Sequence, residues 1–343
     1  MPSYTVYVPR ADDSVPERDF RRGLDPLLDH PDVEVTYCPG RDYDAIEPDE
    51  VPGANAIIAI QERVTADLVA ALPTLEIVAA FGAGLDHIDV PACTEHGVTV
   101  VNAPQPVRDA VAQSTLGMLL SCASNLHGFD ARIRRDGFDG RYENMGVTLY
   151  EKTVGIVGMG LIGTRLLDLL DPFDVDVLVH DPYLEERNAD RLGVDRVSLD
   201  ALLARADFVS LHCPLTDETR GMLGPDEFER MQDTAYLVNA ARGGLYADAD
   251  LTAALRAGEI AGAAIDVFED EPDVDDNPLL AVEDCLLTPH TSGLLIETTT
   301  EQGNLVSESI LQRSRGEPPN NIVNPEAYDG PVAGSLHSPT YRS

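Results

Sequence analysis

The stretch KTVGIVGMGLIG, Lys152–Gly163, decides the reading of this 343-residue chain. It holds G-x-G-x-x-G at Gly158, Gly160 and Gly163, behind the β-branched run Val154, Ile156, Val157 and ahead of a helical pattern from Leu161. The first glycine permits a tight turn, the second lets backbone approach a pyrophosphate, and the third lets helix and strand pack closely. The helix N-terminus then offers free N–H groups and a partial positive charge to phosphates. Asp181 ends the next apolar run, VDVLVHD (175–181). A carboxylate there can accept both ribose hydroxyls of a dinucleotide and repels a 2′-phosphate, which predicts NAD as cofactor over NADP.

The motif usually opens a dinucleotide-binding chain, yet here about 150 residues precede it. Those residues carry a βα series of their own: YTVYV (4–8), VEVTYC (33–38), ANAIIAI (54–60), LEIVAAFG (75–82) and VTVVNAP (98–104) read as strands, with TADLVAALP (65–73) as a helix. Continuous apolar runs of this kind suit parallel strands buried on both faces. The segment 109–137 predicts one long helix. After the glycine motif the pattern resumes with strands at 175–181, 207–214, 235–243, 262–268 and 285–290, and with helices such as 163–171 and 250–259. Residues 297–317 read as a last helix and 318–325 as a loop or edge strand, and the tail 326–343 has too few large apolar residues to pack. Alternating strands and helices mean α/β units, and there are two of them.

Composition narrows the function classes. There are 60 acidic against 24 basic residues, a formal net charge of −36, and Lys152 is the one lysine. The acids are spread along the chain, which argues against a nucleic-acid partner, because phosphate repels such a surface. An acidic enzyme without further significance is one reading. The other is a protein of a high-salt, halophilic cytoplasm, where screening relieves self-repulsion. No apolar run reaches membrane-spanning length, and MPSYTVYVPR lacks a secretion pattern, so a cytoplasmic location and no membrane partner are expected. Cys38, Cys93, Cys122, Cys213 and Cys285 form no C-x-x-C pair, so buried free thiols are expected, and no metal site.

Six spaced motifs now make the chain similar to one family. FGAGLDHIDV (81–90), VGIVGMGLIGTRL (154–166), SLHCPLTDETRGML (210–223), LVNAARGG (237–244), AAIDVFEDEP (263–272) and LLTPHTSG (286–293) follow in order. Together they resemble the D-isomer specific 2-hydroxyacid dehydrogenase family, which includes D-3-phosphoglycerate dehydrogenase, glyoxylate and hydroxypyruvate reductases, and D-lactate dehydrogenase. The resemblance implies two Rossmann-like, doubly wound parallel-sheet domains. A flavodoxin-like outer, substrate-side domain comes from 1–106 plus 293–325, with an inserted NAD-binding domain at 107–292 and the active site in the cleft between them. It also implies a homodimer, formed through the cofactor domain and the helix after Asp109.

By the same resemblance Arg242, Glu271 and His290 are the catalytic set. Each suits its role. Arg242 is a permanent planar cation able to hold the carboxylate and carbonyl oxygens of a 2-oxo acid. Backbone N–H groups at Ala83 and Gly84 can form a small anion nest for that carboxylate. His290 can give a proton to the developing alkoxide or take one in reverse, and Glu271 would stabilise its imidazolium and fix its tautomer. Taken singly, each could be an ordinary surface arginine, acid or loop histidine. Cofactor contacts are expected from Gly158, Gly160, Leu161, Ile162, Gly163, Asp181, His212, Cys213, Pro214, Thr219, Ala240, Asp266, Thr115 and Gly293. Asp266 would lie near the nicotinamide carboxamide, a plain turn acid being the alternative.

Departures from the family pattern refine the substrate. VAQST (111–115) has Gln113 for the usual glutamate, and the chain lacks tryptophan. Phosphoglycerate dehydrogenases often place arginines near AIQERVTADL (59–68) for the substrate phosphate; here stand Gln61, Glu62 and Arg63. The chain also ends without the regulatory domains of many serine-pathway enzymes. The expectation is therefore a reversible NAD-dependent reductase of a small 2-oxo acid such as glyoxylate or hydroxypyruvate, with D-3-phosphoglycerate dehydrogenase as the alternative and a non-catalytic NAD-sensing protein behind both. Glu271 speaks against formate dehydrogenase, which has glutamine there.

Overall fold

The computed structural model describes residues 4–10, 21–39, 43–139 and 141–328. The chain divides into two compact units, Met1–Val107 with Leu295–Ser343, and Arg108–Leu294.

The first unit contains β1 (Tyr4–Arg10), α1 (Asp25–Leu28), β2 (Val33–Pro39), β3 (Ala56–Ala59), α2 (Ala66–Ala71), β4 (Ile77–Ala80), α3 (Val90–Glu95) and β5 (Thr99–Val101). Its five strands are all parallel, in the order β2-β1-β3-β4-β5, the flavodoxin-like arrangement. The unbroken apolar runs at 56–59 and 77–80 have the cause expected of them, because alternate residues enter different cores. Ile57, Ala59, Val78 and Ala80 join Leu68 and Val69 of α2. Ala56, Ile58, Ile77 and Ala79 join Val306 and Ile310. Thr65 caps α2, its Oγ1 accepting from Leu68 N at 3.3 Å.

The far end of the chain completes this unit. A helix at Ile296–Ser314, numbered α11 below, supplies Val306 and Ile310. Ile322 makes an antiparallel bridge to Val101, so the loop or edge strand expected at 318–325 is a loop with one bridge. Asn324, 1% exposed, accepts from Val100 N at 2.7 Å and donates to Val98 O at 3.0 Å and Thr94 Oγ1 at 2.9 Å. The expected unpacked tail begins later than 326. Ala327 and Tyr328 are buried, the Tyr328 hydroxyl donating to Gly316 O at 3.1 Å, while 329–343 lie outside the described residues.

The second unit contains α4 (Pro104–Ala123), α5 (Leu126–Asp136), β6 (Thr153–Val157), α6 (Leu161–Leu170), β7 (Asp176–His180), α7 (Glu186–Leu192), β8 (Asp195–Arg196), α8 (Leu199–Arg205), β9 (Phe208–Leu211), α9 (Pro225–Arg230), β10 (Tyr236–Asn239), α10 (Asp248–Ala257), β11 (Gly262–Ile265) and β12 (Cys285–Leu287). Its seven strands are parallel, in the order β12-β11-β10-β9-β6-β7-β8. The order reverses between β6 and β9, and ligands of such sheets bind outside the strand C-termini at that point. The single helix predicted over 109–137 is two helices. Asn125 adopts a left-handed conformation (φ 49°), and its Nδ2 donates to Asn144 O at 2.8 Å. Asparagine tolerates that conformation, so the chain can break there at little cost.

Asn324→Ala tests how far the C-terminal segment secures the first unit. It should destabilise the protein by roughly 2–4 kcal/mol, since buried groups at Val98 and Val100 lose their partner. Urea unfolding checks this; an unchanged midpoint would contradict it.

Candidate active site

The expected site residues of the second unit gather, with one exception, in segments that follow strand C-termini. The turn after β6 is shaped by its glycines. Gly158 has φ +93°, and a Cβ there would lie 2.8 Å from the His212 carbonyl carbon and Cys213 N. A Cβ at Gly163 would strike the Gly158 carbonyl. The turn can therefore be this tight only with glycine at both places. Gly160 caps α6 without any side-chain hydrogen bond, and the first amides of a helix have no partner within it. These features fit a dinucleotide phosphate.

Asp181, just past β7, holds the same turn. Its Oδ2 accepts from Met159 N at 2.9 Å and its Oδ1 from Tyr183 N at 2.8 Å. After β9 come His212, Cys213 and Pro214. The His212 ring bonds through Nε2 to Ser210 Oγ at 2.8 Å, while Nδ1 is shut off from solvent with no partner among the described residues. Burial alone pushes the His212 pKa down to about 4, and burial, with the Asp181 charge adding to it, pushes the Cys213 thiol up to about 11. Thr219 closes this loop, donating to Pro214 O at 2.6 Å.

Ala240 and Arg242 lie in the turn after β10, which Asn239 organises. Asn239 is fully buried; its Oδ1 accepts from Ala241 N at 3.0 Å and its Nδ2 donates to Arg242 O at 2.9 Å and Tyr246 Oη at 3.1 Å. The Arg242 guanidinium donates to Ala241 O at 2.7 Å.

Asp266 follows β11 and is 1% exposed. Its Oδ1 accepts from Thr288 Oγ1 at 2.6 Å and Thr291 N at 2.8 Å, its Oδ2 from Ser292 N at 2.9 Å, and its backbone carbonyl from His290 N at 2.7 Å. The whole turn 288–292, running up to Gly293, is wound around this one carboxylate, and His290 is held at φ 52°. His290 Nδ1 stands 2.7 Å from Glu271 Oε2, while Glu271 Oε1 accepts from Phe268 N at 2.8 Å. An ionised carboxylate only accepts, so Nδ1 carries the proton and Nε2 is left for other partners. The histidine side chain is 39% exposed and the glutamate 13%.

Thr115 is the exception. It is fully buried in α4, its hydroxyl donating to Val111 O at 2.8 Å. Its neighbour Ser114 instead reaches the histidine turn, donating to Ser292 O at 2.9 Å. Helical spacing could not distinguish the two faces. The sequence reading also passed over Asn239 and Ser210, whose types carry no signal until their burial is known. In the first unit, Ala83 and Gly84 follow β4, and among the described residues no backbone carbonyl takes their N–H groups.

The His212 ring makes stability depend on acid. Its folded pKa, about 4, lies below the ordinary 6.5, so the unfolded chain binds the extra proton between those values and stability falls as pH drops through that window. His212→Asn should flatten the part of the urea-midpoint loss between pH 6.5 and 4 that the wild type owes to this ring; an unaltered slope would contradict the burial effect.

The chain matches the family model described as D-isomer specific 2-hydroxyacid dehydrogenase, NAD binding domain, over residues 116–292. It is 34% identical over 325 residues to a glyoxylate reductase of Korarchaeum cryptofilum, covering 94% of this chain and 96% of that one. It is 36% identical over 276 residues to a D-3-phosphoglycerate dehydrogenase of Archaeoglobus fulgidus, covering 80% of this chain and 52% of that protein, so it spans about half that relative's length. The crystal structure of D-lactate dehydrogenase from Aquifex aeolicus, complexed with NAD and lactic acid, is similar with a TM-score of 0.80 and 26% identity, covering 96% of this chain and all of that one. With this fold, this glycine turn and these matches, the chain belongs to the D-isomer specific 2-hydroxyacid dehydrogenase family.

Proposed function

We propose that the protein is an NAD-dependent D-2-hydroxyacid dehydrogenase acting reversibly on a small 2-oxo acid of the glyoxylate or hydroxypyruvate kind. The observation that carries the reading is the His290–Glu271 pair at 2.7 Å, with Nδ1 committed to the carboxylate. NAD(H), when bound, supplies or accepts the hydride. The phosphate end of that cofactor is assigned to Gly158–Gly163 and its ribose to Asp181. Arg242 is assigned to hold the carboxylate and carbonyl of the substrate, and Ala83 and Gly84 to offer backbone N–H groups to the same carboxylate. His290 moves a proton through Nε2, giving it to the new alkoxide in reduction and taking it in oxidation. Glu271 fixes the ring and offsets its charge. By the same reading residues 108–294 form the cofactor domain and the other unit the substrate domain.

D-3-phosphoglycerate oxidation is a second reading, supported by the names of relatives such as that of Archaeoglobus fulgidus. Against it, Gln61 stands where an arginine would suit a phosphate, and its Nε2 donates to Tyr43 Oη at 3.2 Å. The preference for NAD over NADP rests on Asp181. A homodimer is supported by exposed apolar side chains in and beyond α5, among them Leu126, Phe138, Tyr142 and Met145. A high-salt cytoplasm is supported by the net charge of −36. Among the described residues no helix is long and apolar enough to cross a membrane.

One assay series tests this. NADH oxidation with glyoxylate, hydroxypyruvate, pyruvate and 2-oxoisocaproate, beside NAD reduction with phosphoglycerate, is run with and without molar KCl and with NADPH as control. Turnover of a small 2-oxo acid with NADH is expected, and His290→Ala should lower it by roughly 10²–10⁴-fold while NADH still binds. Absence of turnover with every substrate would favour a sensor, and near-normal turnover of the variant would overturn the proton-transfer assignment.

A further inference from the structure

The Glu271–His290 contact is only as good as the loop that carries Glu271. That loop leaves the sheet after β11 and runs through Phe268–Asn277 before the short 3-10 turn Pro278–Ala281. Its side chains are mostly polar: Glu269, Asp270, Glu271, Asp273, Asp275 and Asp276 follow one another with Pro272 and Val274 between. Like charges so dense repel one another. Phe268 and Val274 seat parts of the loop on the core, and a hold from outside the loop adds to them.

Asp248, the first residue of α10, is placed to do so. It is 4% exposed. An acid at a helix start commonly serves its own helix, but this carboxylate turns to the loop instead. Its Oδ2 accepts from Glu269 N at 3.1 Å and from Asn277 Nδ2 at 2.6 Å, thereby clasping the beginning and the end of the loop together. Asn277 in turn accepts from Leu279 N through Oδ1 at 3.0 Å, so the clasp continues into the turn whose Leu279 is fully buried. Asp248 Oδ1 is buried with no hydrogen-bond partner among the described residues. Burial of an unused carboxylate oxygen costs stability, which marks this acid as kept for what Oδ2 holds.

The clasp also joins two parts of the candidate site. Asp248 ends the segment that begins with the Arg242 turn, and Gly243 in that turn packs directly on the Phe268–Glu269 peptide. A Cβ at Gly243 would overlap the Phe268 carbonyl. The arginine turn and the glutamate loop thus touch through backbone at Gly243 and are tied through a side chain at Asp248.

We infer that Asp248 is a positioning residue for Glu271, its Oδ2 bonds to Glu269 and Asn277 holding the 268–277 loop so that the Glu271 carboxylate meets His290. This rests on the dehydrogenase reading for its kinetic consequence, though not for its structural one. Asp248 bonds to the loop at Glu269 and Asn277, so it acts through the loop.

The experiment compares wild type, Asp248→Ala and Asp248→Asn in the full chain with NADH bound. Asparagine keeps an acceptor oxygen for both donors and alanine keeps none. Hydrogen exchange of the amides in 268–277 should rise in Asp248→Ala and stay near wild type in Asp248→Asn. With the best 2-oxo acid of the assay series, kcat should fall roughly 10- to 100-fold in Asp248→Ala, as a displaced catalytic group predicts, with KM and NADH affinity changing little and with Asp248→Asn restoring most of the rate. If Asp248→Ala does not fold, Asn277→Ala removes one of the two donors from the loop side and is read in the same way. Unchanged exchange in 268–277, or a kcat equal to wild type in the alanine variant, overturns the inference. A wild type without turnover refutes the dehydrogenase reading instead, and the exchange comparison still decides the clasp.

Discussion

One buried carboxylate holds His290 in place. Asp266 is almost sealed from solvent, yet both its oxygens are engaged, by a hydroxyl and two backbone amides of a single five-residue turn. Bonds to a charged acceptor are short and strong, and in a buried place they are strengthened further. They let His290 persist in a left-handed conformation that a histidine adopts at some cost. This anchor adds to the backbone bonds from His290 N to Asp266 O and from Thr288 N to Ile265 O, and it helps keep the ring in register with Glu271.

The same device recurs beside it. Asn239 anchors the arginine turn and Asp248 the glutamate loop, each a buried polar residue near the end of a strand or the start of a helix. In parallel sheets covered on both faces the strand ends leave polar backbone unpaired, and such anchors are useful there. Rigid strands deliver the anchors and the anchors fix the loops, so the exposed chemistry sits on segments that would otherwise be mobile.

Much of this could be read from the sequence. The apolar runs at 56–59, 77–80 and 154–157 announced buried parallel strands because both faces of each are covered. The glycine spacing announced the turn because only glycine survives the approach of the His212 and Gly158 carbonyls. The break at Asn125 was hidden, since the bond that accompanies it, to the Asn144 carbonyl, joins residues 19 apart in the sequence. Which way Thr115 and Ser114 point could not be read, because adjacent helical residues differ by about 100° in direction and the helix rotation decides. Asp266 was visible as an acid in a motif, but its grip on Thr288, Thr291 and Ser292 depends on two strands becoming neighbours, β11 beside β12.

Buried anchors, rather than the two side chains alone, hold the His290–Glu271 pair proposed for proton transfer. Asp266→Asn tests it most directly, because an amide keeps the size but cannot accept at both ends. The predicted result is a loss of turnover of at least about tenfold, with faster hydrogen exchange at 288–292 and unchanged exchange in β6 and β7. Turnover within about twofold of wild type, with the turn equally protected, would contradict it.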